Sequence, residues 1–129
     1  MSVLNEVRNW LSTVRSQPAR YSVRWDECGN TYAEQRGEDS ETTRITWRQV
    51  TDVFAYKRDC FAYDQICLLV EASDIDRRIE VREDDEGYEG LIQQLPLRLD
   101  GAPTLDEWWN TVVLPPFETQ WKRLYSRQR

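Results

Sequence analysis

The sequence predicts an α+β domain, an antiparallel sheet of about five strands covered by an amino-terminal helix and two or three carboxy-terminal helices. Three observations predict it. Between Ile45 and Leu95 an alternating apolar pattern gives way to a helical period just after Glu83-Asp84-Asp85-Glu86-Gly87, which marks strands handing over to helices. With 129 residues the chain can bury one sizeable core but not a second independent one, so residues 1–129 read as a single domain. Its 40% hydrophobic and 31% charged content is ordinary for a soluble fold.

Ser2 can cap a helix whose apolar residues Val3, Leu4, Val7, Trp10, Leu11 and Val14 recur at three- and four-residue spacing until Pro18 ends it. From Arg20 to Cys28, Tyr21, Val23 and Trp25 alternate with Ser22, Arg24 and Asp26, as in a strand with one buried face. Asn30 to Glu41 offers little that could be buried and reads as a long mobile hairpin loop. Thr43, Ile45 and Trp47 restart the alternation, and after a bend near Gln49 a third strand spans Val53 to Lys57.

Gln65 to Val70 is a continuous apolar run about one strand long, expected to be covered on both faces and central in the sheet. Ile79 and Val81 alternate with Arg78, Glu80 and Arg82 in a fifth, half-exposed strand, reached by a short turn at Asp74 to Asp76. Tyr88, Leu91, Ile92 and Leu95 then share one helical face, with acidic residues at the positive end of the helix dipole and Pro96 as the stop. Thr104-Leu105-Asp106-Glu107 forms a capping box for a helix with Leu105, Trp108, Trp109, Val112 and Val113 on one face. After Pro115-Pro116, the residues Phe117, Trp121, Leu124 and Tyr125 suggest a last helix, with Lys122, Arg123, Arg127 and Arg129 at its negative end.

Composition narrows the function classes. Histidine is absent, which removes the commonest metal ligand and the commonest general acid or base near neutral pH. No GxxxxGK[ST], GxGxxG or GxSxG is present, so no catalytic residue, metal site or cofactor is expected. Cys28, Cys60 and Cys67 are an odd set without a CxxC pair, which argues for reduced thiols, with Cys67 as a small core residue. No run approaches the ~20 apolar residues of a membrane span, and the amino terminus lacks the order of a signal peptide, so a cytoplasmic protein is expected. The net charge of −6 disfavours nucleic acid and anionic membranes as partners and favours a basic protein. Six Trp, six Tyr and three Phe would mostly fill the core, or else build a recognition surface.

Two groups of residues are candidate binding sites. Lys57, Arg58 and Asp59 face Asp64 across a short connection, either as an ion pair that fixes the turn or as an anion contact built on the planar arginine fork. The acidic series from Asp74 to Glu89, with Glu83, Asp84 and Asp85 at its centre, reads as a solvated edge and helix cap or as a docking surface. It is not a calcium loop, because counting from Asp74 puts Arg78 and Ile79 where an oxygen ligand and a glycine are needed.

The segments Ile45-Thr46-Trp47-Arg48-Gln49-Val50, Ala55-Tyr56-Lys57-Arg58-Asp59, Asp64-Gln65-Ile66-Cys67-Leu68, Ile79-Glu80-Val81, Glu83 with Gly87-Tyr88, and Trp108 to Phe117 resemble a group of small uncharacterised bacterial single-domain proteins. The resemblance covers roughly residues 45 to 125 and implies a bacterial, stand-alone domain without assigning any residue a role. A strand meander closed by a terminal helix also looks like the pleckstrin-homology-like architecture, an analogy of element order alone. The resulting expectation is a non-enzymatic protein-binding module, such as an immunity or inhibitor protein directed at a basic partner. The alternatives are a pleckstrin-homology-like module taking a small anionic ligand through Lys57 and Arg58, a carboxylate-dependent enzyme, and a homo-oligomer joined at Trp108 or Trp109.

Overall fold

The structure, a computed structural model, describes residues 20–59, 64–114 and 121–127. It replaces the expected five strands and three or four helices with seven strands in two antiparallel sheets and two short helices among the described residues. The expected helix over Ser2 to Val14 lies outside the described residues.

The first sheet is a meander of β1 (Arg20–Trp25), β2 (Gly29–Arg36) and β3 (Asp39–Thr46) in sequence order. The stretch read as a mobile loop is thus a hairpin, closed by the two-residue turn Gly37-Glu38 between the paired residues Arg36 and Asp39. Gly37 has φ 63°, the left-handed backbone that hairpin turns of this length require and that glycine adopts without steric cost. The alternation was hidden because the inward side of β2 carries Asn30, Tyr32 and Glu34, only one of them apolar. Tyr32 is fully buried and meets Tyr21 edge-on with ring centroids 6.4 Å apart.

A 3-10 turn at Trp47–Gln49 carries the chain into the second sheet, at the bend the sequence predicts. The Trp47 backbone N–H donates to the Cys28 carbonyl at 3.0 Å and its indole N–H to the Asp26 carbonyl at 3.1 Å, which ties the turn to the β1–β2 connection. The second sheet has the order β6-β5-β4-β7, built from β4 (Val50–Asp59), β5 (Asp64–Ala72), β6 (Ile79–Arg82) and β7 (Trp121–Ser126). β5 is interior and buried on both faces from Gln65 to Val70, as expected of its apolar run. β6 is buried throughout rather than half-exposed, since Glu80 and Arg82 are covered as well.

Helix α1 (Tyr88–Arg98) runs through Pro96 instead of stopping there. Proline removes one N–H from the helical ladder, but the next turn still closes through Leu99 N–H to the Leu95 carbonyl at 2.9 Å, and both leucines are buried. Helix α2 (Leu105–Val113) starts at the predicted capping box, where the Thr104 N–H donates to the Glu107 carboxylate at 2.7 Å.

The expected last helix is β7. A bulge opposite Val53 and Phe54 adds one residue to that strand, and this explains the misleading spacing. A bulge breaks the period of two, so Trp121, Leu124 and Tyr125 fall at intervals of three and four within an extended chain. Leu124 turns into the core while Trp121 stacks on Tyr56 at 4.9 Å on the other face. The helix on which the pleckstrin-homology-like analogy relied is therefore a strand in its described part.

One core takes Tyr21, Val23 and Ile45 from the first sheet, Val53, Leu68 and Val81 from the second, and Leu91, Leu95, Trp108 and Val112 from the helices. The opposite face of the second sheet carries a smaller cluster of Phe54, Tyr56, Cys67 and Leu69, all at most 1% exposed. Cys67 is accordingly a core residue.

Candidate functional site

The seven residues singled out in the sequence do not come together in one site. β4 sends alternate side chains to opposite faces, so Lys57 joins the main core with Val53 and Ala55 while Arg58 joins Phe54 and Tyr56. Lys57 is 1% exposed; its Nζ donates to the Val113 carbonyl at 2.8 Å and lies 3.5 Å from the Asp64 carboxylate. It thus supplies a cation to the negative end of α2, where helix carbonyls lack partners of their own. Arg58 donates to Glu80 Oε2 at 2.6 Å, and the Tyr56 hydroxyl donates to the same oxygen. Burial pushes the Glu80 carboxyl up to about 7, against the pull of the Arg82 charge. Glu80 is therefore the centre of a buried polar network rather than part of a solvated edge. Asp59 ends β4 opposite Asp64 in the strand register.

The other three predicted residues form the turn from β6 into α1, and they divide by burial. Asp85 is structural, with a side chain 1% exposed that accepts the Arg82 N–H at 2.9 Å and the Arg20 Nε at 3.0 Å. Glu83 and Asp84 are exposed. Each is anchored at one end, Glu83 by the Ile66 N–H at 2.9 Å and Asp84 by Gln65 Nε2 at 3.1 Å.

The turn is held in place by Gly87. Its φ of 89° is left-handed, and a Cβ there would stand 2.0 Å from the Val23 carbonyl oxygen. Only glycine lets α1 begin this close to β1, where the Val23 N–H reaches the Glu86 carbonyl at 2.8 Å.

Glu83 opens onto a groove of about 310 Å³ between the two helices. α1 contributes Tyr88, Glu89, Ile92 and Gln93, and α2 contributes Leu105 and Trp109. The apolar wall is accessible, with Leu105 38% and Trp109 37% exposed, and the exposed carboxylates Glu83 and Glu89 lie beside it. Tyr88 is buried and its hydroxyl has no hydrogen-bond partner; burial, with Glu83 nearby, raises its pKa.

Of these groove residues the sequence marked Glu83 and Glu89 as acidic and Trp109 as a possible seam, but it did not place them together. The sequence put Trp108 and Trp109 together on one apolar face of α2, and the structure separates them. Trp108 takes the core and is 1% exposed, leaving Trp109 for the surface.

Among the described residues no group of His, Cys, Asp and Glu could hold a metal ion, and no helix is long and apolar enough to cross a membrane. Comparison with known proteins finds no matching family model, no similar curated protein and no similar solved structure.

Proposed function

We propose that this chain is a non-enzymatic binding module of the inhibitor or immunity type, which engages a basic protein partner through the groove between α1 and α2. The observation that carries the reading is the pairing of accessible apolar surface at Leu105 and Trp109 with the carboxylates of Glu83 and Glu89 in a single groove. A lysine or arginine side chain has an aliphatic stem and a cationic head. The stem suits Ile92 and Leu105, and the head suits two carboxylates and an indole face. A net charge of −6 would accelerate encounter with such a partner and repel acidic competitors.

Capture of partners from cell lysate on the immobilised full chain, at low and high salt, tests this proposal when the wild type is compared with Glu83→Lys/Glu89→Lys and with Trp109→Ala. A basic protein held by the wild type, released by salt and absent from both variants is the expected result. Retention that is the same on all three surfaces would overturn the groove as the docking site. Light scattering of the free chain tests self-association through Trp109, which would replace a foreign partner with a second copy.

A further inference from the structure

A second opening, separate from the acidic groove, has the opposite character. It measures about 340 Å³ and draws arginines from three distant parts of the chain: Arg48 in the 3-10 turn, Arg98 in the last turn of α1, and Arg127 just after β7. Trp47 and Tyr125 form aromatic walls, and Asp100 is the one carboxylate among its lining residues. Three arginines thus line one small opening in which a single carboxylate is present, a composition that suits an anion.

The surrounding chemistry makes that cluster unusual. Carboxylates outnumber cations in this chain, and Arg20, Arg44, Arg58, Arg77 and Arg78 each stand within ion-pairing distance of one. Arg48 and Arg98 have no such partner among the described residues. The Nε of Arg98 donates to Gln94 Oε1 at 2.9 Å, which fixes the plane of the guanidinium and leaves its terminal nitrogens without a described acceptor. Arg127 is steadied by its own backbone N–H to the Thr51 carbonyl at 2.8 Å and by its guanidinium to the Arg48 carbonyl. The cradle is thus partly pre-ordered, which lowers the entropic cost of filling it.

We propose that Arg48, Arg98 and Arg127 form a site for a phosphate monoester carried on a small organic body. Phosphate oxygens match the planar arginine fork in geometry and charge. The volume falls at the small end of the range for ligand pockets, and aromatic walls beside polar anchors are the usual composition of such sites. The sequence placed anion recognition at Lys57 and Arg58, but those two residues are committed to Asp64 and Glu80, and the cradle draws on different residues.

The test is titration of the full chain with inorganic phosphate and with phenyl phosphate, followed by the NMR signals of the arginine Nε–H and indole N–H groups, with Arg48→Gln and Arg98→Gln in parallel. All three arginines are exposed, so neither variant should alter the fold, and unchanged circular dichroism will verify that. One saturable site that weakens about tenfold or more in either variant is expected, the effect of one charge-assisted hydrogen bond. Sedimentation with phosphatidylcholine vesicles containing phosphatidic acid forms a second arm. Binding there alone, lost in both variants, identifies a lipid headgroup as the source of the phosphate, whereas binding of the soluble probes identifies a free metabolite. No saturable response in either arm, or responses equal in wild type and variants, would overturn the site.

Discussion

Lys57 shows how one side chain can be read two ways. A lysine between Tyr56 and Arg58 on a strand looks like part of a basic contact, yet its position on the core face of β4 puts its Nζ under the carboxy terminus of α2, 2.8 Å from the Val113 carbonyl and 3.5 Å from Asp64. A buried cation is stable only when paired and hydrogen-bonded, and both conditions hold here. Lys57→Ala removes the cation, leaves the Val113 carbonyl without its donor and opens a cavity. It should cost about 3 kcal/mol, in the range found when one partner of a buried pair is deleted. Urea unfolding followed by tryptophan fluorescence measures it. A loss below about 1 kcal/mol, typical of a surface pair, would show that water already reaches the ammonium group.

At the scale of the element, β6 carries a prediction that depends on pH. The folded-state pKa of Glu80 is raised to about 7 from an ordinary 4.5, mainly by burial. Between those two values the native state holds a proton that the unfolded chain has released. The stability tied to this carboxyl is therefore fully present below about pH 4.5 and declines as the pH rises through 7. The shift corresponds to about 3 kcal/mol as an upper bound, because Arg58 at 2.6 Å favours the ionised form. Unfolding midpoints between pH 4.5 and 8 should fall with pH in the wild type and lose this component in Glu80→Gln, whose amide stays neutral. Parallel profiles for the two proteins would assign the slope to other groups.

The elements also show what the sequence could reveal. β1, β4 and β5, the bend at Gln49 and the start of α2 were legible, because hydrophobic period and capping residues are local signals. The end of β3 at Thr43 and Ile45 was legible too, but β2 and the start of β3 were not, since the inward Asn30 and Glu34 of β2 replace apolar residues. Glu34 is tolerated there because Arg77 pairs with it at 2.7 Å from more than forty residues away, a partnership no local pattern announces. β7 was misread because its bulge imitates a helical period. The acidic turn at Glu83 and Asp84 was visible, but the groove depends on how α1 and α2 pack, and the arginine cradle depends on three segments meeting in space.

At the scale of the whole molecule, the two sheets form no ladder that joins one to the other through the described strands. They are coupled by a shared core, by the Trp47 contacts to the β1–β2 connection, and by the bridge between Ser22 in β1 and Glu86 ahead of α1. Gly87 controls that bridge, since any side chain there meets the Val23 carbonyl at a separation no packing permits. A core spanning both sheets makes unfolding cooperative, so far-ultraviolet circular dichroism and tryptophan fluorescence should trace one transition. Gly87→Ala combines a strained φ with this clash and should lower stability by about 3 kcal/mol. Because the joint serves both sheets, both signals should shift together by the same amount in the variant. If the two transitions separated in Gly87→Ala, the first sheet would be an independently melting unit held to the second by the bridge rather than by the shared core.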